Sequence, residues 1–193
     1  MISDFFLALL LALIQGLTEF LPVSSSAHLL FPSLLFGAKD FGIVFDISVH
    51  AGTLAAVIYY FKNEIQGLLY AWMPWKKTRS KEDFSLGLNL LVATLPIVAV
   101  GLLASDLTES RSSNIDSIAW ANLVFAGLLY AAFKSSAQSK SLTELTLFAA
   151  LIIGCFQALA VFPGASRSGM AITGALIIGL NIKDTSKFAF LLS

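Results

Sequence analysis

The sequence predicts an all-α, polytopic integral membrane protein, and three observations carry that prediction. Hydrophobic residues make up 57% of the chain and charged residues 12%. A soluble domain carries roughly 25% charge, so this chain lacks the polar surface that water requires. Mean hydropathy is +0.83, and 16 Phe and 3 Trp suit a lipid-facing exterior. Finally, the apolar residues are gathered in runs of two lengths, some long enough to cross a bilayer and some not. A net charge of zero excludes bulk electrostatic binding of nucleic acid. The single Cys155 excludes a disulfide framework and a cysteine-rich metal site. The first apolar run lacks the basic start and small-residue cleavage site of a signal peptide, so it is expected in the mature protein.

Residues 5–20 are apolar until Gln15, Thr18 and Glu19, and Pro22 then ends the helix. At ~1.5 Å per residue this run reaches roughly 24 Å. The next, 29–36, is interrupted by Pro32 and extends about 12 Å, far short of a hydrocarbon core of ~30 Å. Residues 1–37 therefore read as a re-entrant hairpin. Residues 43–61, 86–104 and 118–133 read as full spans. Residues 145–162 and 169–180, with a polar break at 163–168, read as a second hairpin. Residues 185–193 open a further apolar run.

Basic residues set the orientation. The loop after the first span holds Lys62, Lys76, Lys77, Arg79 and Lys81 and is placed in the cytoplasm; that after the third carries Lys134 and Lys140 and is also inside. The loop 105–116 has Asp106, Glu109 and Asp116 against Arg111 and falls outside. The two hairpins then enter from opposite faces. They also resemble each other: Gln15 precedes Pro22 much as Gln157 precedes Pro163, and Ser25 and Ser166 each follow their proline by three residues. An inverted repeat with broken helices near the midplane places its ligand site where the breaks meet. The chain thus reads as one membrane domain, 1–193, with 1–133 as a first repeat and 145–193 as the start of a second. Completing the second repeat would give a protein of roughly 275 residues.

Charged groups in membrane segments cost at least ~2.5 kcal/mol each at a helix centre and mark function. Glu19 lies one turn after Gln15, so both project from one face. After the break, Ser24, Ser25 and Ser26 precede a new helix starting at Ala27 and His28, where free backbone N–H groups and hydroxyls make an anion site. In the second break Arg167 lies between Ser166 and Ser168, before a helix starting at Gly169; an Arg fork flanked by serines suits phosphate. Gly164 and Gly169 permit close backbone approach. Together these suggest a diphosphate held by a metal. Glu19 can ligate a divalent cation bridging phosphate oxygens, His28 can act as acid or base, and Ser25 can be a nucleophile. Plainer readings stand beside these. Glu19 and Arg167 also fit a structural ion pair, His28 an interfacial residue bonding a carbonyl, and the serines a helix cap. Asp46 and His50, one turn apart, read as a water-exposed interfacial pair rather than the site mouth. Trp72, Trp75 and Trp120 read as belt residues.

These motifs, Gln15-Gly-Leu-Thr-Glu19, Leu21-Pro-Val-Ser-Ser25 through His28, Gly154-Cys-Phe-Gln-Ala-Leu-Ala160 and Pro163-Gly-Ala-Ser-Arg-Ser168, resemble the undecaprenyl-diphosphate phosphatases of the bacitracin-resistance type. The resemblance runs along the whole chain. It implies hydrolysis of a C55 polyprenyl diphosphate to the monophosphate and phosphate, reuse of the monophosphate for peptidoglycan, and bacitracin resistance. It also implies dependence on a divalent cation, magnesium or calcium, and a site opening to the periplasm of a bacterial inner membrane. Two inverted re-entrant hairpins and six spans belong to the same pattern. The sequence departs from it at Ala171, where the family's second motif has Thr (the nearest here is Thr173), and at Ala27, where it has Gly. On this reading Arg167, Ser166 and Ser168, with Ser24 and Ser26, hold phosphate. Glu19 binds metal or orients water, with Gln15 and Gln157 in support. His28 shuttles a proton, and Ser25 or a metal-bound water attacks. The partners are the lipid substrate and the bilayer, no nucleic acid is expected, and a homodimer is admissible. The rivals are a lipid-phosphate or anion transporter on the same fold, a phosphatidic-acid-type phosphatase, whose third motif the chain lacks, and a membrane scaffold.

Overall fold

The computed structural model describes residues 2–73, 75, 80–103 and 115–193, and these form helices throughout. The order is α1 (Ile2–Thr18), α2 (Ser25–Phe36), α3 (Ile43–Tyr60), α4 (Lys62–Trp72), α5 (Lys81–Leu103), α6 (Ile115–Ser135), α7 (Leu147–Ala158), α8 (Arg167–Ile178) and α9 (Ile182–Leu192). Short 3-10 turns at Leu142–Glu144 and Leu159–Val161 flank α7. Among the described residues three helices are long and apolar enough to cross a membrane: α3, α5 and α6. They fall where the apolar runs predicted full spans. Lys76, Lys77, Arg79, Asp106, Glu109 and Arg111, on which much of the orientation argument rests, lie outside the described residues.

Three elements differ from expectation, each for a local reason. Pro32 does not interrupt the second helix; it lies inside α2. Proline removes one ladder hydrogen bond, a loss membrane helices tolerate where side chains, water or local adjustment re-satisfy the freed backbone group. Beyond it, left-handed Gly37 closes the end by donating to Ser33, while Ala38 donates to Pro32 itself. Both helices after the breaks start two residues earlier than expected, at Ser25 and Arg167, because Ser24 and Ser166 take the capping role. The basic loop after α3 opens as helix α4, whose Ile65, Leu68, Leu69 and Trp72 follow the i, i+3, i+4, i+7 spacing of an amphipathic face.

The core is built from α5, α7, α8 and α9 around Ala93, Ala150, Ile153, Ala171, Ala175, Leu176 and Phe188. Nine consecutive residues of α8, Ser168 to Leu176, are buried. Small side chains let these helices approach closely, since lipid supplies no hydrophobic drive between them. Asn89 Nδ2 donates to the Leu145 carbonyl at 3.0 Å, tying α5 to the start of α7. The Lys140 N–H donates to the Gly179 carbonyl and the Asn181 N–H to the Lys140 carbonyl, fastening the loop before α7 to the start of α9. By contrast α1 and α3 present large apolar side chains outward, among them Phe5, Leu13, Leu17, Val44 and Leu54, as lipid-facing helices do.

Lys187 Nζ lies 3.2 Å from Glu64 Oε1, joining α9 to α4. The Glu64 carboxyl is held below the usual carboxylate range, first by its own backbone N–H and then by that ammonium.

Where α5 crosses α7, a Cβ added to Gly154 would lie 2.3 Å from the Ala93 carbonyl oxygen. That oxygen is backbone and cannot rotate away, so the helices must part. Gly154→Ala is expected to destabilise the protein by about 1–3 kcal/mol. A lowered thermal midpoint in detergent checks this; an unchanged midpoint would mean that the crossing is not tight.

Candidate functional site

Two chain breaks build the site. The first follows α1, where Glu19 still donates its N–H to the Gln15 carbonyl before the chain turns through Pro22. The second lies between Leu159–Val161 and α8, where Gly164 adopts a left-handed φ of 94°. A Cβ on Gly164 would stand 2.7 Å from the Ile118 carbonyl oxygen of α6, so only glycine fits. The breaks abut: a Cβ on Gly169 would lie 3.3 Å from the Pro22 carbonyl oxygen.

Between them is a polar cavity of about 100 Å³ lined by Glu19, Ser24, Ser25, Ser26, His50, Ser166, Arg167 and Ser168, with Val23, Ala160 and Ala165. Two helix starts therefore face one space. Each leaves first-turn N–H groups without intrahelical partners and carries the positive end of a helix dipole, a setting that attracts anions.

The serines divide their work. Ser24 Oγ accepts from the Ala27 N–H at 3.4 Å and Ser166 Oγ from the Gly169 N–H at 3.1 Å, so these two cap α2 and α8. Ser25 instead donates its hydroxyl to Glu19 Oε2 at 2.7 Å. Gln15 Nε2 donates to the same oxygen at 2.8 Å. Ser168 Oγ lies 3.2 Å from Ser166 Oγ. A carboxylate accepting from a serine hydroxyl is the geometry of a base beside its nucleophile. Arg167, the first residue of α8, is exposed, and its Nη1 donates to the Ser193 carbonyl at 3.3 Å.

His28, Gln15 and Gln157 do not line the cavity. His28 Nδ1 bonds the Ser24 carbonyl at 2.7 Å and its ring meets Phe31; it does not line the cavity. His50 does, with Nε2 3.6 Å from Glu19 Oε2. The signal was present in the sequence: Asp46, His50 and Thr53 recur at helical spacing inside an apolar span. Gln15 and Gln157 are buried behind the breaks, each with its Oε1 lacking a hydrogen-bond partner. Thr173 is buried in α8 and donates to the Gly169 carbonyl, so it does not supply the hydroxyl missing at Ala171.

Among the described residues no group of three or more His, Cys, Asp and Glu gathers. The cavity's donors are the Glu19 carboxylate, the serine hydroxyls and the His50 ring. That fits a hard cation of the magnesium type, which takes one or two carboxylates and completes its shell with water and substrate phosphate rather than an all-protein cage.

A second cavity adjoins the first. It measures about 210 Å³ and is mainly apolar, lined by Pro22, Asn122, Leu123, Ala126, Leu129 and Met170 among others. Val23 and Ser166 line both cavities. A larger one of about 800 Å³ lies between α3, α4 and α9 and shares no lining residue with the polar cavity.

Comparison with known proteins agrees with the motifs. The chain is 46% identical over 190 residues to the undecaprenyl-diphosphatase of Saccharophagus degradans, covering 98% of this chain and 72% of that protein. It is 45% identical over 191 residues to the undecaprenyl-diphosphatase of Teredinibacter turnerae, with the same coverage. The enzyme of that name from Alcanivorax borkumensis matches equally well, at 45% over 191 residues. Residues 8–193 match the family described as Bacitracin resistance protein BacA. With its breaks, its serines and Arg167 on one cavity and this match along almost its whole length, the chain belongs to the bacitracin resistance protein family.

Proposed function

We propose that this chain hydrolyses undecaprenyl diphosphate to undecaprenyl phosphate and inorganic phosphate, returning the lipid carrier to cell-wall synthesis and conferring bacitracin resistance. The observation that carries the reading is the Ser25–Glu19 hydrogen bond in the same cavity as Arg167, at two helix starts.

The terminal phosphoryl group lies against Arg167, Ser166 and Ser168, with Ser24 and Ser26 on the opposite wall. The helix starts and the guanidinium offset its charge before and during transfer. Glu19 takes the Ser25 proton as Oγ attacks the terminal phosphorus. The bond from phosphorus to the bridging oxygen breaks, and the lipid monophosphate leaves. A water then attacks that phosphorus, the Oγ–P bond breaks, Glu19 gives its proton back to Oγ, and the water's protons leave with inorganic phosphate. A water activated directly by Glu19 would serve the same reaction without the covalent stage. A phosphorylated Ser25 trapped by acid quench separates the two routes. Glu19 would also hold a divalent cation, magnesium or calcium, which when bound supplies charge stabilisation to the phosphate oxygens.

The prenyl tail lies in the apolar cavity between α6 and the breaks, because that cavity adjoins the polar one, with Val23 and Ser166 lining both. The wider architecture belongs to the same reading: α1–α2 and α7–α8 are re-entrant hairpins of an inverted repeat in a bacterial inner membrane, and the site opens to the periplasm.

The test is phosphate release from a polyprenyl diphosphate by the full-length protein in detergent, with and without chelator. Release stopped by chelator supports the reading, and none from folded protein removes it. In the same assay Ala126→Phe is expected to raise KM for a long-chain substrate about tenfold or more, the scale of filling a hydrophobic pocket, with kcat kept. Ala56→Phe, in the separate large cavity, is expected to change neither. The reverse result would move the tail to that cavity.

A further inference from the structure

We propose that His50 is a second protein ligand of the divalent cation, sharing it with Glu19 through a nitrogen. The proposal rests on the reading that a cation binds at Glu19.

The argument starts from the ring. His50 Nδ1 lies 2.7 Å from the Asp46 carbonyl oxygen, one turn back on α3. A carbonyl only accepts, so Nδ1 carries the hydrogen and the neutral ring keeps its lone pair on Nε2. Metal-bound histidines almost always donate their other ring N–H in this way, which fixes tautomer and orientation. Here the fixed ring aims Nε2 into the polar cavity, 3.6 Å from Glu19 Oε2. Two ligand atoms at right angles on an octahedral ion stand about 3 Å apart, so a small side-chain adjustment brings both onto one ion. Both side chains remain reachable, with relative exposures of 39% for His50 and 31% for Glu19. Gln15 and Ser25 both donate to Oε2 and hold the carboxylate in place.

His28 offers the contrast. It makes the same backward bond to a carbonyl, yet it stands off the cavity. Both histidines are therefore orientationally fixed, and only one faces the carboxylate.

One nitrogen and one carboxylate oxygen make a different site from a carboxylate alone. Imidazole raises affinity for manganese and, more strongly, cobalt relative to calcium. The remaining positions on the ion are left to diphosphate oxygens and water.

The test loads the full-length protein in detergent with Mn²⁺, alone and with methylenediphosphonate, and reads nitrogen hyperfine coupling by pulsed EPR. The unsubstituted protein and His28→Gln are expected to show imidazole nitrogen coupling. His50→Gln is expected to lose it, with Mn²⁺ affinity falling about tenfold or more and the preference for Co²⁺ over Ca²⁺ reduced. Labelling all histidines with ¹⁵N in the unsubstituted protein changes the coupling pattern without requiring any variant to fold. Absence of bound Mn²⁺ or of nitrogen coupling under both conditions overturns the proposal, as does coupling that persists in folded His50→Gln. Phosphate release measured with Mg²⁺ on the same preparation separates the two claims. Release without nitrogen coupling removes the His50 ligand alone; no release removes the hydrolase reading, whatever the spectrum shows.

Discussion

Replacing Arg167 with alanine is expected to lower kcat/KM for a polyprenyl diphosphate by about 10³-fold or more, the range found when a guanidinium that stabilises phosphoryl transfer is lost. The expectation follows from position. Arg167 is the first residue of α8, behind the Ser166 cap, and its exposed side chain lies on the wall of the polar cavity. It is not core, so truncation should leave the thermal midpoint nearly unchanged while removing the cation nearest the phosphate. Arg167→Lys should recover only part of the loss, because an ammonium keeps the charge but not the two-pronged hydrogen bonding. Phosphate release in detergent, with unfolding measured alongside, decides it. Activity above about a tenth of the unsubstituted value would contradict the 10³-fold expectation and take Arg167 out of phosphate binding.

Glu19→Gln is the second large effect, with kcat expected to fall about 10²- to 10⁴-fold, the contribution of a positioned base. The substitution is nearly isosteric, and its amide oxygen can still accept from Ser25 and Gln15. What disappears is the negative charge that takes the Ser25 proton and that holds a cation. Single-turnover phosphate release gives the chemical step directly. Ser25→Ala then distinguishes routes: if serine attacks, it falls as far as Glu19→Gln, and the double variant falls little further, since the two act as one unit. Additive losses would point to a water activated by Glu19.

The long spans were legible because hydrophobic run length is a strong signal, and α3, α5 and α6 fall on the three runs long enough to cross. The sites of the two breaks were legible from Pro22, Pro163 and the serines after them. Helix starts were less so. Several serines in a row all have the chemistry of a cap, and only geometry tells Ser24, which bonds the Ala27 N–H, from Ser25, which bonds Glu19. The two histidines differ in what a linear reading can see. His28 is near the serines in sequence and His50 is not, yet the packing of α1 on α3 brings His50 to Glu19. His28 follows the serines in the linear motif, whereas His50 reaches the cavity only through tertiary packing. Helix α4 was missed because its lysine at the start and the basic stretch beyond it outweighed a short amphipathic period.

The uneven packing of the molecule has a mechanical meaning. Arg167 stands at the head of the most deeply enclosed helix, α8, whereas Glu19 directly follows α1 and Ser25 opens α2, helices that are packed chiefly with each other and with α3 and show broad apolar faces to the lipid. One wall of the cavity is thus set in the protein core and the other on the helices that face the lipid. On the proposed reaction the diphosphate touches both, so the substrate itself bridges the enclosed part of the fold and its lipid-facing part.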